Sequence, residues 1–351
     1  MKNYIHKNKS VNNINYFHKI AVNGQHITIS NIKCLFLFLL FIKLNSYLLF
    51  IINMITIKFN DNISLYYSSF EEILKLENYN DIILINCSYN NLYILPELPH
   101  KLIELFCCSN KISDLPKLPN SLTHLWCERN KLSSLSELPN SLFELRCCGN
   151  NMFSMPKLPN SLTKLYCTYN NLSSLSELPN SLINLCCYYN NLSRLPELPH
   201  KLTELSCEHN NLYSLPELPN SLEHLKCQHN NLSSLPDLPN SLTYISCYYN
   251  KLSSLPELPY SLKKLYCHTN YICDLPNLLN SLIIISYYNN PIHIHVNKYF
   301  DNNKKKYFKH QKNMKRKFIN KIENWFLDCK YNPKYLYCRK RLMKEYEELY
   351  N

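Results

Sequence analysis

A cysteine stands at every twentieth position through the middle of this chain: Cys87, Cys107, Cys127, Cys147, Cys167, Cys187, Cys207, Cys227, Cys247 and Cys267. An asparagine follows each three residues later, and the column runs eleven long from Asn90 to Asn290. Leu102, Leu105, Cys107, Asn110 and Ile112 set the pattern L-x-x-L-x-C-x-x-N-x-L. The rest of each unit reads like Ser214-Leu215-Pro216-Glu217-Leu218-Pro219-Asn220-Ser221. A strict period of this length marks an array of stacked units.

The spacing dictates what each unit does. Leu105, Phe106 and Cys107 alternate in, out, in, the period of a short strand. One short strand cannot bury its apolar side alone, so neighbouring units must stack into a parallel sheet over a continuous core. Seventeen of the 19 prolines lie between Pro96 and Pro276. Proline lacks an N–H and clashes with a preceding helical turn, which excludes helix interior there. Proline at i and i+3 suits extended polyproline II, and it points Leu95 and Leu98 inward. An asparagine leaving the strand can donate to and accept from backbone groups of the next turn. Eleven in register predict eleven stacked turns.

These residues resemble the leucine-rich repeats, and more narrowly the short L-P-x-L-P class of secreted bacterial effectors, the YopM and IpaH kind. The resemblance covers about 81–290. It implies a right-handed solenoid of the α/β horseshoe class, rich in β-structure. Short parallel strands form its concave side and polyproline-II-like segments its convex side. The family is a general protein-binding scaffold. Some members of the short class carry a large C-terminal ligase domain with a catalytic cysteine. Only about sixty residues follow the repeats here, and Cys329 and Cys338 match no such motif, so ligase activity is not expected. The tail beginning Asn332-Pro333-Lys334-Tyr335 is similar to C-terminal tails of giant amoebal DNA-virus proteins, which suggests a viral source.

Charge divides the chain further. The net charge of +12 resolves into +7 over 1–60, −5 over 61–290 and +10 over 291–351. The expected domains are a basic and apolar extension (1–53), an N-terminal cap (54–80), the repeats (81–290) and a basic helical cap or tail (291–351). In the N-terminal cap, Ile55, Ile57 and Phe59 alternate with polar residues, as do Ile63, Leu65 and Tyr67. Asn60-Asp61-Asn62 reads as their hairpin turn. Ser68 or Ser69 with Glu71 or Glu72 signals a helix over about 69–77. After Pro291, residues 298–329 and 334–350 read as basic helices. Residues 34–57 hold two apolar runs separated by Lys43, Asn45 and Ser46. Joined, they reach the length of a signal anchor, which would make the protein membrane-anchored. The alternatives are a start at Met54 and an extension of another kind.

Only 2 glycines occur, which argues against glycine-rich phosphate loops. The cysteine column reads as small buried hydrophobes. Parallel in-register side chains suit neither disulfides nor a tetrahedral metal. Unpaired thiols in this number fit a reducing cytosol, so the expected location is cytoplasmic, the host cytosol if the source is viral. Asn171, Asn191 and Asn231 begin N-L-S sequons that would matter only in a secretory lumen.

Function is expected at the variable outward positions of the strands. Framework residues are explained by packing, and variable exposed ones are where a partner is read. The candidate partner-binding residues are Phe106, Trp126, Arg146, Tyr166, Tyr169, Tyr188, Tyr189, Lys226, Tyr248, Tyr249 and Tyr266. Phe106, Trp126, Arg146 and Tyr166 are successive entries in one column and should form one patch. Tyr188, Tyr189, Tyr244, Tyr248, Tyr249 and Tyr266 should form a second. The expected function is a monomeric, non-enzymatic protein-binding scaffold without cofactor, catalytic residues or metal, with a role in host–pathogen contact. The alternative is nucleic-acid or anionic-surface binding through Lys304-Lys305-Lys306, Lys315, Arg316 and Lys317, interleaved with Tyr307, Phe308 and Phe318. His224 with His229, and Cys148 with Glu144, are the nearest approaches to a catalytic pair, and neither has a third group.

Overall fold

The computed structural model describes residues 54–60, 63–276 and 281–292, and the backbone of 20–22 and 25–27. The sequence expectations for the rest of 1–53, including the signal anchor up to Met54, and for the helices after 292 lie outside the described residues. The chain divides into two units, Met1–Met54 and Ile55–Asn351. In the first, β1 (Ile20–Val22) pairs antiparallel with β2 (Gln25–Ile27).

The second unit is a solenoid. It opens with β3 (Ile55–Lys58) paired antiparallel to β4 (Ser64–Tyr67). Eleven three-residue strands follow. They are β5 (Leu84–Asn86), β6 (Glu104–Phe106), β7 (His124–Trp126), β8 (Glu144–Arg146), β9 (Lys164–Tyr166) and β10 (Asn184–Cys186), then β11 (Glu204–Ser206), β12 (His224–Lys226), β13 (Tyr244–Ser246), β14 (Lys264–Tyr266) and β15 (Ile284–Ser286). All eleven run parallel to one another, with each residue opposite the one twenty further on. β3 joins this sheet antiparallel to β5, so it contains thirteen strands with β4 at one edge.

One turn shows why twenty residues suffice. Leu102, Leu105, Cys107, Ile112, Leu115 and Leu118 all point into the core. Burying one such leucine is worth roughly 1.5–3 kcal/mol, and each turn contributes the same set again. The proline half forms no regular strand or helix among the described residues. It ends in a tight turn in which the Leu102 N–H donates to the Pro99 carbonyl at 3.1 Å, repeated at Leu122, Leu142 and onward. Leu95 and Leu98 are buried as the proline spacing requires.

The asparagines lock turn to turn. Asn190 Nδ2 donates to the carbonyls of Cys187 in its own turn and Cys167 in the preceding one, both at 3.0 Å. Its Oδ1 accepts from the Leu172 N–H at 3.0 Å. The same three bonds recur at Asn110, Asn210 and Asn270 and along the column to Asn290. Asn90 has no repeat before it and donates to Ser88. A second ladder runs where the sequence assigned none. The Ser121, Ser141, Ser161 and Ser181 hydroxyls each donate to a leucine carbonyl of the preceding turn at 2.6–2.7 Å.

The N-terminal end differs from expectation in two details. The helix α1 covers only Phe70–Ile73 and gives way to three-residue turns and a 3-10 segment at Tyr79–Asp81. The chain must bend there to deliver Ile82 and Ile85 to the core. Ser69 occupies the N-cap without a side-chain bond, while the Ser68 hydroxyl donates to Glu72 Oε1 at 2.6 Å. In the hairpin, Ile55 and Ile57 are buried, whereas Ile63 and Leu65 are exposed. β4 is the outer edge of the sheet, so the apolar side of the hairpin is supplied mainly by β3, with Tyr67 of β4 packing partly against the core.

Candidate functional site

The outward face of the sheet, the concave side in this kind of solenoid, is where side chains are free to vary. The strands β5–β14 bury their central residues and place the two flanking ones on the outward face, where Glu144, Ser206 and Ser246 are covered by their neighbours, and the two positions after the following cysteine extend the same face. Column by column, the structure brings most of the candidate residues into contact.

Phe106, Trp126, Arg146 and Tyr166 form one continuous stack. The Phe106 and Trp126 ring centres lie 4.5 Å apart. The Arg146 guanidinium sits 4.2 Å from the Trp126 ring centre and 4.8 Å from that of Tyr166, between the two rings. Its Nε donates to Glu144 Oε1 at 2.5 Å, and Lys164 Nζ lies 3.4 Å from the other Glu144 oxygen. Glu144 is almost fully buried. Burial alone would push its carboxyl up, but the Arg146 hydrogen bond and charge, then Lys164, hold it below the usual range. Arg146 is thus fixed on both faces and at one edge, and neither Nη nitrogen has a hydrogen-bond partner among the described residues. Trp126 Nε1 is also covered without a partner.

The second expected patch is built from two stacks, joined edge-on where Tyr248 meets His229 and Tyr249, and a further group around Tyr244. Tyr169, Tyr189, His209, His229 and Tyr249 stack face to face, with successive ring centres 4.4, 4.0, 4.1 and 4.5 Å apart. Tyr248, His268 and Tyr288 form a shorter parallel stack at 4.3 Å spacings. Tyr244 and Tyr266 make a separate tilted pair at 5.7 Å. Tyr188 meets Tyr169 and Tyr189 edge-on. Tyr188 and Tyr189 therefore reach Tyr248 and Tyr249 only through His209 and His229, which the list of candidates omitted. Their signal was present in the sequence, because both stand in the column one residue before the asparagine.

That column is unusual in its backbone. Tyr169, Tyr189, His209, His229 and Tyr249 have φ between 51° and 53°, in the left-handed region. Gly149, the glycine of this column, has φ 65°, and a Cβ there would stand 3.3 Å from Arg129 Cγ. For a non-glycine residue the left-handed region costs roughly 1–2 kcal/mol. The cost arises from the turn that leads into the asparagine, so it recurs in every repeat.

Burial lowers the affinity of His209, His229 and His268 for a proton, and His229 adds its own charge against His209 and His268. Lys226 is exposed on β12 and belongs to no stack. Its charge acts on Glu208, whose Oε2 is covered and unpaired, and Gln228 Oε1, one turn further in the same column as Glu208, is covered and unpaired as well. The two pairs weighed as catalytic have other partners. His224 Nδ1 lies 3.8 Å from Glu204, while His229 is held between His209 and Tyr249. Glu144 is engaged by Arg146 and Lys164, and burial pushes the Cys148 thiol up.

The repeat-column cysteines are fully buried and free. Burial pushes Cys87 and Cys267 up to about 12. It pushes the others, from Cys107 to Cys247, well above the usual thiol range. Among the described residues no cluster of three or more histidine, cysteine or acidic side chains is placed to hold a metal ion. None of the described helices is long and apolar enough to cross a membrane.

The architecture is that of a leucine-rich-repeat solenoid, and solved structures of such proteins superimpose on it. YopM from Yersinia enterocolitica WA-314 matches at 34% identity and a TM-score of 0.55, over 57% of this chain and 49% of YopM. The chain thus spans about half the length of that protein. The leucine-rich-repeat domain of APL1B matches at 22% identity and a TM-score of 0.51, over 65% of this chain and 75% of that one. FLRT2, in an octameric complex with Latrophilin 3 and Unc5D, matches at 19% and 0.51, over 59% and 81%. The last two likenesses concern the fold alone. No protein-family model and no curated protein matches the chain.

Proposed function

We propose that this protein is a non-enzymatic scaffold that binds another protein on the outward face of its sheet. The observation that carries this reading is the stack Phe106–Trp126–Arg146–Tyr166, a pre-ordered run of the residue types that anchor protein interfaces. Its side chains are held before a partner arrives, so little rotamer freedom is lost on binding. Tyr169, Tyr188, Tyr189, Tyr248, Tyr249 and Tyr266 extend the surface, and Lys226 supplies an exposed charge within it. The likeness to YopM supports an effector-like role in contact between a pathogen and its host. The unpaired thiols of the cysteine column support a reducing cytosol as the place of action.

The test is a quantitative pull-down from host cells with the full chain, compared with a Trp126→Ala, Tyr166→Ala, Tyr249→Ala variant of unchanged far-UV circular dichroism. Proteins retained by the first and lost by the second support the reading. Identical retention by both removes it. The net charge of +10 over 291–351 favours nucleic-acid binding as the second reading. Retained material that disappears with nuclease and moderate salt, equally from both baits, supports that one instead.

A further inference from the structure

The ring stack that begins at Tyr169 has one open end. Tyr169 gives one ring face to Tyr189 at 4.4 Å and meets Tyr188 edge-on at 5.6 Å. Both of those residues stand on the following turn. The other face of Tyr169 therefore looks back along its column toward Gly149, which carries no side chain. Tyr169 is 54% exposed against 41% for Tyr189, as an uncovered face requires. The far end of the stack is closed, because Thr269 follows Tyr249 in the column and His268 meets Tyr249 edge-on at 6.1 Å.

One turn before Gly149 the same column holds Arg129. Its Cγ lies 3.3 Å from the point that a Cβ on Gly149 would occupy, so its stem leans toward the glycine. Its exposed side chain makes no hydrogen bond, ion pair or ring contact among the described residues. Tyr169 and Arg129 are two rungs apart in one column. At the 4.0–4.5 Å spacing of the stacked rings, two rungs are about 8–9 Å. A planar group in van der Waals contact on both faces needs about 7–8 Å. The gap over Gly149 thus matches one flat ring, between two solvent-accessible walls.

The backbone does not demand glycine here. Arg129 and Tyr169 hold the left-handed conformation on either side of it, with φ of 51° and 53°. What Gly149 alone supplies is the absence of a side chain, which lets another group approach the backbone closely.

We propose that the gap over Gly149 takes a tryptophan side chain of the bound protein, inserted edgewise between the Tyr169 ring and the Arg129 side chain as one more rung of the column. A cation on one wall favours an electron-rich ring, because it is attracted to the negative π face, and to indole most strongly. The same cation repels the guanidinium of a partner arginine. A nucleobase is also flat, but the net charge of −5 over 61–290 opposes the phosphates that come with it. This inference rests on the protein-binding reading above and names the side chain that the face selects.

The test is saturation-transfer NMR of N-acetyl-tryptophanamide titrated against the full chain and against variants of unchanged far-UV circular dichroism. Saturable binding in the millimolar range is expected. Gly149→Tyr fills the gap with the ring the column uses elsewhere, and Tyr169→Ala removes a wall, so each should weaken binding about tenfold. Arg129→Gln should weaken it about threefold. Gly149→Ala carries the same backbone strain without a ring and should stay within about twofold of the parent. Absence of saturable binding, or binding indifferent to Gly149→Tyr and Tyr169→Ala, overturns the proposal. Equal losses in Gly149→Ala and Gly149→Tyr overturn it too, because strain and not the gap would then govern binding. Adenosine monophosphate binding more tightly than the tryptophan probe, with the same sensitivity to Gly149→Tyr, overturns it in favour of a nucleobase. If the pull-down variant loses partners while the probe stays indifferent to these substitutions, the protein-binding face stands and only the tryptophan site falls.

Discussion

A single asparagine does three jobs in each turn, and this sets the cost of losing one. Replacing Asn190 by alanine strands the Leu172 N–H in a dry interior and removes one of the two amide donors from each of the Cys167 and Cys187 carbonyls, which keep Asn170 and Asn210. Each buried group left unpaired costs roughly 1–3 kcal/mol. Asn90 donates only to Ser88, on the first turn. Urea denaturation should therefore show Asn190→Ala as several-fold more destabilising than Asn90→Ala, and equal losses would contradict the ladder's role. The left-handed column gives a different expectation. At Tyr189 the backbone costs roughly 1–2 kcal/mol and stacking recovers about 0.5–1.5 kcal/mol. Tyr189→Gly should thus change stability by less than about 1 kcal/mol while weakening partner capture. The histidines make the fold acid-sensitive. Their folded affinity for protons is depressed by burial, so the unfolded chain binds more protons as pH falls below about 6.5. Stability should decline from that pH downward. His209→Gln, His229→Gln should flatten the slope between neutral and mildly acidic pH, measured by denaturant midpoints.

At the scale of one repeat, the sequence was legible because the same physical requirement is met in every turn. Leu105, Cys107, Asn110 and Ile112 announce strand, core and turn by position alone, and the structure places them accordingly. The first stack was legible for the same reason: Phe106, Trp126, Arg146 and Tyr166 share one column, and residues in one column of a parallel sheet are neighbours. The other groupings were legible only in part: Tyr169, Tyr189, His209, His229 and Tyr249 share one column and Tyr248, His268 and Tyr288 another, but the edge-on contacts that join those columns depend on ring orientation rather than on spacing. Irregular elements were legible only in outline. The helix at Phe70–Ile73 is shorter than its sequence signal, since the bend that follows is set by packing against the first repeat. The cysteine column makes the element-level account testable. Among the described cysteines, Cys273 is exposed, Cys108, Cys148 and Cys186 are half-buried, and the repeat-column thiols are buried with raised proton affinity. Mass-spectrometric timing of thiol labelling should find Cys273 first, the half-buried three later, and the column only in denaturant. Early labelling of Cys167 or Cys187 would mean that the turns open in the native state.

For the whole molecule, the division of labour is between a uniform interior and a variable face. The interior repeats leucine, cysteine and asparagine and stores no information about a partner. The face changes from turn to turn, from an aromatic stack around a fixed arginine to a run of tyrosines and histidines, with unpaired acceptors at Glu208 and Gln228. Exposed aromatic residues elsewhere, such as Tyr93, Phe153, Tyr213 and Tyr260, do not join these stacks and serve as internal controls. The most direct measurement is hydroxyl-radical footprinting of the full chain, free and in complex with the protein recovered by pull-down. The account predicts protection of Trp126, Tyr166, Tyr189 and Tyr249 on binding, with Tyr93, Phe153, Tyr213 and Tyr260 unchanged. Protection of the second group with the first left reactive would place the partner on the other side and contradict the central claim.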